Sequence, residues 1–396
     1  MKRLREEKVS GNTRREPVGR ISEENSESKE MSMNKPIRIL HIVGAMYPGG
    51  MENFIMNLYR NIDRSQFQFD FIVHQKREND YTDEIEQMGG RVYLLPRLTK
   101  KPFSNLHEIR KLVRENHYPM VIRHTANALV APQLLAAKRA GAVTVCHSHN
   151  ETDPQIRLHR IGQRLMRHAA DIRLACSEQA GRWMYGDQSF EVIHNAIDIP
   201  AFSYSEEKAA TIRREFHLEG KHVYGNIANF IASKNHMYLL RIYREIVNLD
   251  PDAVCFCLGE GDLRPEIEEE IQKLHLEGKV ILTGIRSDVP DFMSCLDVLV
   301  FPSRFEGLPL TLIEAQAAGL PSLISDTITK NVIVTEGIVR QLSIEEKPEV
   351  WAETAVRLAM QPHDRTCQKE SIAAAGYDIR QLAVWYQEFI RKNIGR

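Results

Sequence analysis

Phe301-Pro302-Ser303-Arg304-Phe305-Glu306-Gly307-Leu308-Pro309-Leu310-Thr311-Leu312-Ile313-Glu314 is the most informative stretch of the 396-residue chain. Val298 to Phe301 reads as a buried strand, the next residues as a loop, and Leu310 to Ala318 as a helix. On a helix beginning near Pro309, Glu314 falls just over one turn in, while Glu306 stays in the loop beyond the strand end. The first-turn amides have no intrahelical partner, so they point into the space between the two acids. An anion placed there gains about 0.3–1 kcal/mol from the helix dipole when exposed and up to about 2 when partly buried. Carboxylates beside such a seat accept hydroxyl protons, and a nucleoside diphosphate sugar offers phosphate and hydroxyls together. The plain alternative is a pair of solvated acids flanking a helix start.

Outward from this stretch the chain alternates between strand and helix. Before it come strand candidates at Val223 to Ala228, Val254 to Leu258 and Val280 to Leu282, and after it Ser322 to Ile324. Helical spacing occupies Met237 to Leu249, Arg264 to Leu274 and Val289 to Cys295. An earlier series runs from Ile37 to Val43 through Phe69 to His74, Arg91 to Leu95, Met120 to Arg123 and Val143 to His147, with helices between; Ile172 to Cys176 and Phe190 to Ile193 complete it. Such alternation implies parallel βαβ units with right-handed crossovers, twice over. The predicted fold class is therefore α/β with two Rossmann-like domains. Their expected limits are residues 35–200 and 201–375, with the polar run between Ile199 and Phe216 as a linker and 376–396 as a last helix, Ile379 to Asn393, that could pack against either domain and is assigned to the first. The halves share an architecture and no sequence repeat.

Length and composition agree. Single cores stop growing at roughly 250–300 residues, so a chain of this size divides. With 43% hydrophobic and 27% charged residues it has the composition of a globular protein, and a net charge of −1 leaves no broad footprint for nucleic acid. Its six cysteines lack CxxC or zinc-module spacing, which points to a reducing compartment. No apolar run approaches the ~20 residues that cross a bilayer. The expectation is a cytoplasmic protein. Residues 1–34 carry almost no aliphatic side chains and read as a disordered tail; Met31 and Met33 leave an alternative start open.

At this point the chain resembles glycosyltransferase family 4, the retaining GT-B enzymes, from Ile37 to Arg396. Glu306 and Glu314 match its paired-glutamate signature with seven residues between them. Supporting segments follow in order: Gly49-Gly50-Met51-Glu52, Cys146-His147-Ser148-His149-Asn150, Cys176-Ser177-Glu178, Asn195-Ala196-Ile197-Asp198, Gly259-Glu260-Gly261 and Gly284-Ile285-Arg286-Ser287-Asp288. Any one is weak, and six in order are strong. The likeness implies two domains facing across a central cleft, with Glu306 at the donor sugar or its phosphate side and Glu314 on the ribose hydroxyls. Gly284, Ile285, Arg286, Leu310 and Thr311 fall in the donor-binding segments.

Gly44 to Gly50 is neither a dinucleotide fingerprint nor a Walker A loop, because the spacing is wrong and Gly50 stands where a P-loop needs lysine. The resemblance assigns Gly49 and Gly50 to the donor diphosphate or acceptor side, against a plain turn. Lys234 matches the family lysine that neutralises the donor pyrophosphate; a solvated surface lysine is the plain reading. Asn229 stands where the family usually has an arginine sharing that duty, so another cation, Arg286 or Lys330, is a candidate substitute. His124 matches the histidine that faces the donor sugar, against a satisfied structural histidine. His147 and His149 share one strand face, which suggests a metal site superficially; no third ligand recurs nearby in sequence, and no metal or other cofactor is expected.

The resemblance implies retaining transfer of a hexose from a nucleoside diphosphate donor, UDP-linked, to a lipid-linked or growing polysaccharide acceptor. The Phe-Glu-Gly-Leu-Pro form looks most like bacterial exopolysaccharide and capsule transferases. Peripheral contact with the inner face of a membrane is open, through Arg157, Arg160, Arg164 and Arg167 at near-helical spacing. Two other readings stand: a GT-B sugar-nucleotide epimerase, and a non-catalytic subunit of a polysaccharide assembly, motivated by Asn229 and by Ala196 where the family tends to have glycine.

Overall fold

The computed structural model describes residues 35–149, 156–365 and 369–395. The tail 1–34 and Asn150 lie outside the described residues. The first half comprises β1 (Ile37–Ile42), α1 (Gly50–Asn61), β2 (Phe67–Val73), α2 (Thr82–Gln87), β3 (Val92–Leu94), α3 (Pro102–Glu115), β4 (Met120–Thr125), α4 (Ala131–Lys138), β5 (Val143–Ser148), α5 (Ile156–Ala169), β6 (Ile172–Ala175), α6 (Glu178–Tyr185) and β7 (Glu191–Val192). The second comprises α7 (Ile199–Phe202), α8 (Glu206–Glu215), β8 (Val223–Ile227), α9 (His236–Leu249), β9 (Val254–Leu258), α10 (Arg264–Lys273), β10 (Val280–Gly284), α11 (Val289–Cys295), β11 (Val298–Phe301), α12 (Leu310–Ala317), β12 (Ser322–Ser325), β13 (Val339–Leu342), α13 (Pro348–Met360), α14 (Lys369–Ala374) and α15 (Ile379–Ile394).

Both sheets are parallel, in the orders β3-β2-β1-β4-β5-β6-β7 and β10-β9-β8-β11-β12-β13. Helices cover both faces of such sheets, so their strands are buried at most positions. β2 is buried throughout, and its one acid, Asp70, is satisfied by Arg38 at 2.6 and 2.7 Å, the Tyr118 hydroxyl at 2.6 Å and the Arg91 amide at 2.8 Å. Strand order reverses between β1 and β4 and again between β8 and β11. In open α/β sheets, ligands bind beyond the carboxyl ends of the strands at such reversals. The loops to watch therefore follow β1, β4, β8 and β11.

The structure differs from the sequence expectation in three stretches. The polar run between Ile199 and Phe216 is α7 and α8, not an open linker. Ser205 caps α8 by accepting from the Lys208 amide at 3.3 Å, and Ala209 and Ile212 are buried. Two buried apolar positions in ten residues give too short a stripe for periodicity to register. The helix expected between β4 and β5 opens as a 3₁₀ turn, Ala128–Val130, because the Asn127 side chain accepts from the Leu129 amide and a new α segment starts at Ala131 with Pro132 in its first turn. β13 and α13 add to the second half, with Trp351, Ala352 and Ala355 seating α13 in the core.

The last helix belongs spatially to the first half. Ile379, Ala383, Tyr386 and Ile390 of α15 are buried in the same core as Phe54, Phe69 and Met120. The crossing is tied by Ile197, whose amide donates to Tyr377 O at 2.9 Å and whose carbonyl accepts from the Ile379 amide at 3.0 Å. Asp378 caps α15, accepting from the Arg380 amide at 2.8 Å.

Candidate active site

The loop after β8 and the loop after β11 are fastened together. Asn235 adopts a left-handed conformation at φ 61°, donates to Pro302 O at 3.1 Å and accepts from Arg304 Nε at 3.0 Å, while the Arg304 amide donates to Ser233 O at 2.8 Å. This fixes the 3₁₀ turn Ala232–Lys234, so that Lys234 Nζ meets both Glu306 oxygens, at 2.6 and 2.7 Å. The ammonium also lies 5.6 Å from the centre of the Phe301 ring. Lys234 and Glu306, separate in the sequence reading, form one half-buried ion pair. Pairing of this kind is held by geometry, because desolvation offsets much of the Coulombic gain.

Beyond that pair α12 begins at Leu310 behind Pro309, with no side chain capping its first turn. Its opening amides keep their capacity to donate to an anion. Glu314 follows on the same helix, and burial pushes its carboxyl up to about 7. The Asn229 backbone bends to bring its carbonyl to the Ile231 amide at 2.9 Å, and the residue is exposed. Close approach of the next loop requires glycine: a Cβ on Gly259, at φ 146°, would stand 2.1 Å from Ala228 O. Gly284, at φ 72°, ends β10 and accepts from the Gly259 amide at 3.0 Å, and Ile285 beside it is 52% exposed. Arg286 is engaged elsewhere, with Asp288 at 2.6 and 2.8 Å and Glu215 at 3.3 Å, which raises its pKa through the Asp288 bonds first. Lys330 is exposed in the 3₁₀ turn Lys330–Val332, and Thr311 sits in the first turn of α12.

In the first half Gly49 is extended and Gly50 opens α1, with open space around a Cβ at Gly50. A Cβ on Gly49 would come within 2.8 Å of Glu52 Oε2. Burial pushes the Glu52 carboxyl up to about 7, partly opposed by its own backbone hydrogen bond and by Arg77. Glu52 was quoted in the sequence only as part of a motif and given no role; an acid in the first turn behind a Gly-Gly loop was the available signal.

His124 is 1% exposed, and both its ring nitrogens are occupied by other histidines: Nε2 by His41 Nδ1 at 3.0 Å and Nδ1 by His149 Nε2 at 2.9 Å. His147 stands next to both, its ring centre 5.3 Å from that of His124 and 4.1 Å from that of His149. Burial lowers all four imidazoles, His41 and His147 to about 3. The sequence showed His147 and His149 together; His124 joins them because β4 and β5 pair with His124 opposite His147. His41, on β1, was not singled out.

Comparison with known proteins fits this geometry. The profile described as Glycosyltransferase Family 4 matches residues 48–200 and that of Glycosyl transferases group 1 matches 208–371. The chain belongs to glycosyltransferase family 4 and is a glycosyltransferase of the GT-B architecture. It is 36% identical over 366 residues to EpsF of Bacillus subtilis (strain 168), which bears a glycosyltransferase name, covering 87% of this chain and 94% of that one. The UDP-Gal:alpha-D-GlcNAc-diphosphoundecaprenol alpha-1,3-galactosyltransferase of Escherichia coli is 24% identical over 76% of this chain and 83% of its own length. Among solved structures, Anabaena Alr3699/HepE in complex with UDP superposes with a TM-score of 0.73 at 18% identity, over 90% of this chain and 100% of that one, a likeness of fold.

Proposed function

We propose that the protein transfers a hexose, with retention at the anomeric carbon, from a UDP-linked donor to a lipid-linked or growing polysaccharide acceptor in surface polysaccharide biosynthesis. The observation that carries this reading is the Lys234–Glu306 pair beside the uncapped start of α12, with Glu314 one turn further on. The diphosphate takes the α12 amides and the Lys234 ammonium; Glu306, released from the lysine, accepts from a sugar hydroxyl, and Glu314 accepts from the ribose. The bond from the anomeric carbon to the phosphate oxygen breaks as the acceptor oxygen bonds on the same face, and the acceptor proton passes to the departing phosphate. Catalysis then rests on positioning and on stabilising the leaving charge. Helix dipole and ammonium meet the charge of the diphosphate, so donor turnover needs no metal and no cofactor. Binding of UDP by the Anabaena protein and the diphosphoundecaprenol acceptor named for the Escherichia coli relative favour these two substrates.

A lipid-borne acceptor calls for contact with a membrane from its cytoplasmic side. Helix α5 offers a surface for it: Leu158, Ile161 and Leu165 are exposed beside Arg160, Arg164 and Arg167, while His159, Gly162 and Met166 face inward. Among the described residues no helix is long and apolar enough to cross a membrane.

The ion pair supplies the test. UDP has no sugar for Glu306 to hold, so the carboxylate competes with the diphosphate for Lys234. Glu306→Gln should therefore bind UDP more tightly by calorimetry while turning over a UDP-sugar at least about a hundredfold more slowly, the scale of losing a group aimed at the reacting centre. Weaker UDP binding together with unchanged turnover would overturn the assignment. Proton NMR of the product's anomeric centre reads retention directly, and incubation with donor alone separates transfer from epimerisation.

A further inference from the structure

We propose that His124, His147 and His149 hold a divalent transition-metal ion of the zinc type at the carboxyl ends of β4 and β5, three residues to which the proposed donor chemistry gives no part. Each residue offers one ring nitrogen, and these nitrogens all lie within 4.8 Å of one another. Three imidazoles around a four-coordinate ion at about 2.0–2.1 Å place their nitrogens about 3.3 Å apart. The His124 Nδ1 to His149 Nε2 distance of 2.9 Å, a hydrogen bond that an ion between the two rings would replace, is near that spacing. His147 carries the second observation. It is fully buried, and neither Nδ1 nor Nε2 has a hydrogen-bond partner. A buried imidazole with both nitrogens unsatisfied is costly unless something occupies the space it faces.

The surroundings suit a metal rather than a charged relay. Neutral imidazole is the ligating form and is the commonest partner of zinc, copper and nickel. A ligating histidine normally gives its other N–H to an outer partner that fixes the ring, and His124 Nε2 has one in His41 Nδ1 at 3.0 Å. Phe54 closes one side, its ring centre 5.5 Å from that of His147 and 5.8 Å from that of His149. His149 is partly exposed, which leaves an entry and a fourth position for a ligand not supplied by these three side chains.

The test uses the full chain, freed of any histidine tag and stripped with a chelator. Titrated with Co²⁺, it should take up one equivalent with visible d–d absorption that Zn²⁺ abolishes, and the melting temperature should rise with either ion. His147→Ala should lose affinity by more than about tenfold, the loss that even an outer-shell partner causes, while UDP binding stays as in the wild type. No stoichiometric uptake by the wild type, meaning that water alone fills the space, overturns the proposal. Uptake by His147→Ala equal to the wild type does the same. Should His147→Ala fail to fold, His149→Ala is read by the same criterion. UDP titration of the stripped protein separates the readings: a metal-free chain that binds UDP but never Co²⁺ removes the metal site and leaves the transferase.

Discussion

Glu314 is the residue whose chemistry depends most on its surroundings. Burial raises its folded pKa from 4.5 to about 7, so the folded chain holds the proton across that window and stability falls as pH rises through it. Two ribose hydroxyls accepted by the ionised form oppose this. Uridine, which has no phosphate to titrate, should therefore bind more weakly as pH drops below about 7, and Glu314→Gln should flatten the dependence; a wild type flat across the window in calorimetry would count against the ribose role. Lys234→Ala, by contrast, should weaken UDP roughly ten- to hundredfold, the worth of a charge-assisted hydrogen bond, and leave uridine unaffected. Equal losses for both ligands would remove the phosphate role. At this scale the sequence was legible where partners share one segment. Glu306 and Glu314 lie in one loop-helix junction, so their spacing alone sets both acids at the start of α12. The histidine cluster was not legible, because the register that sets His124 opposite His147 belongs to strand pairing. Pairing of Lys234 with Glu306 was hidden for the same reason, since it depends on the Asn235 to Pro302 tie between two loops.

Among elements, α5 shows how a single missing side chain sets a contact. A Cβ on Gly162 would lie 2.5 Å from Ala128 O and 2.6 Å from Ala128 C, so α5 rests directly on the backbone of the 3₁₀ turn after β4. Gly162→Ala gains about 1 kcal/mol of helix propensity. The overpacking it introduces costs about 1–3 kcal/mol, and because the obstructing atoms are backbone they cannot rotate aside. Net destabilisation is the expected outcome in chemical denaturation, and a stabilised variant would show that the helix can shift freely. The strands were the legible elements, since burial on both faces writes continuous apolar runs such as Val298 to Phe301. Helix α8 was not, because Glu206, Glu207, Arg213 and Arg214 give it the composition of a linker while Ala209 and Ile212 alone reach the core.

Over the whole molecule the two parallel sheets follow from strand-helix alternation, but the strand orders with their reversals and the destination of α15 do not. Its apolar face would suit either core, and the tie through Ile197 selects the first. A chain ending after Tyr377 would uncover the buried surface that Phe69 and its neighbours share with Tyr386 and Ile390. Loss of large core side chains costs several kcal/mol each, about 2–5, so this truncation should unfold the first half at a markedly lower temperature while the second half keeps its transition. Unchanged melting of both halves would mean that α15 is a passenger.

The same crossing governs how the protein comes off the ribosome. Translation delivers the first sheet early, yet its core is completed by residues 379–394, so a nascent chain must carry one half incompletely sealed while the other is made. The second half can close around its own strands first; the first waits for residues 379–394, with an apolar face available to chaperones throughout that interval.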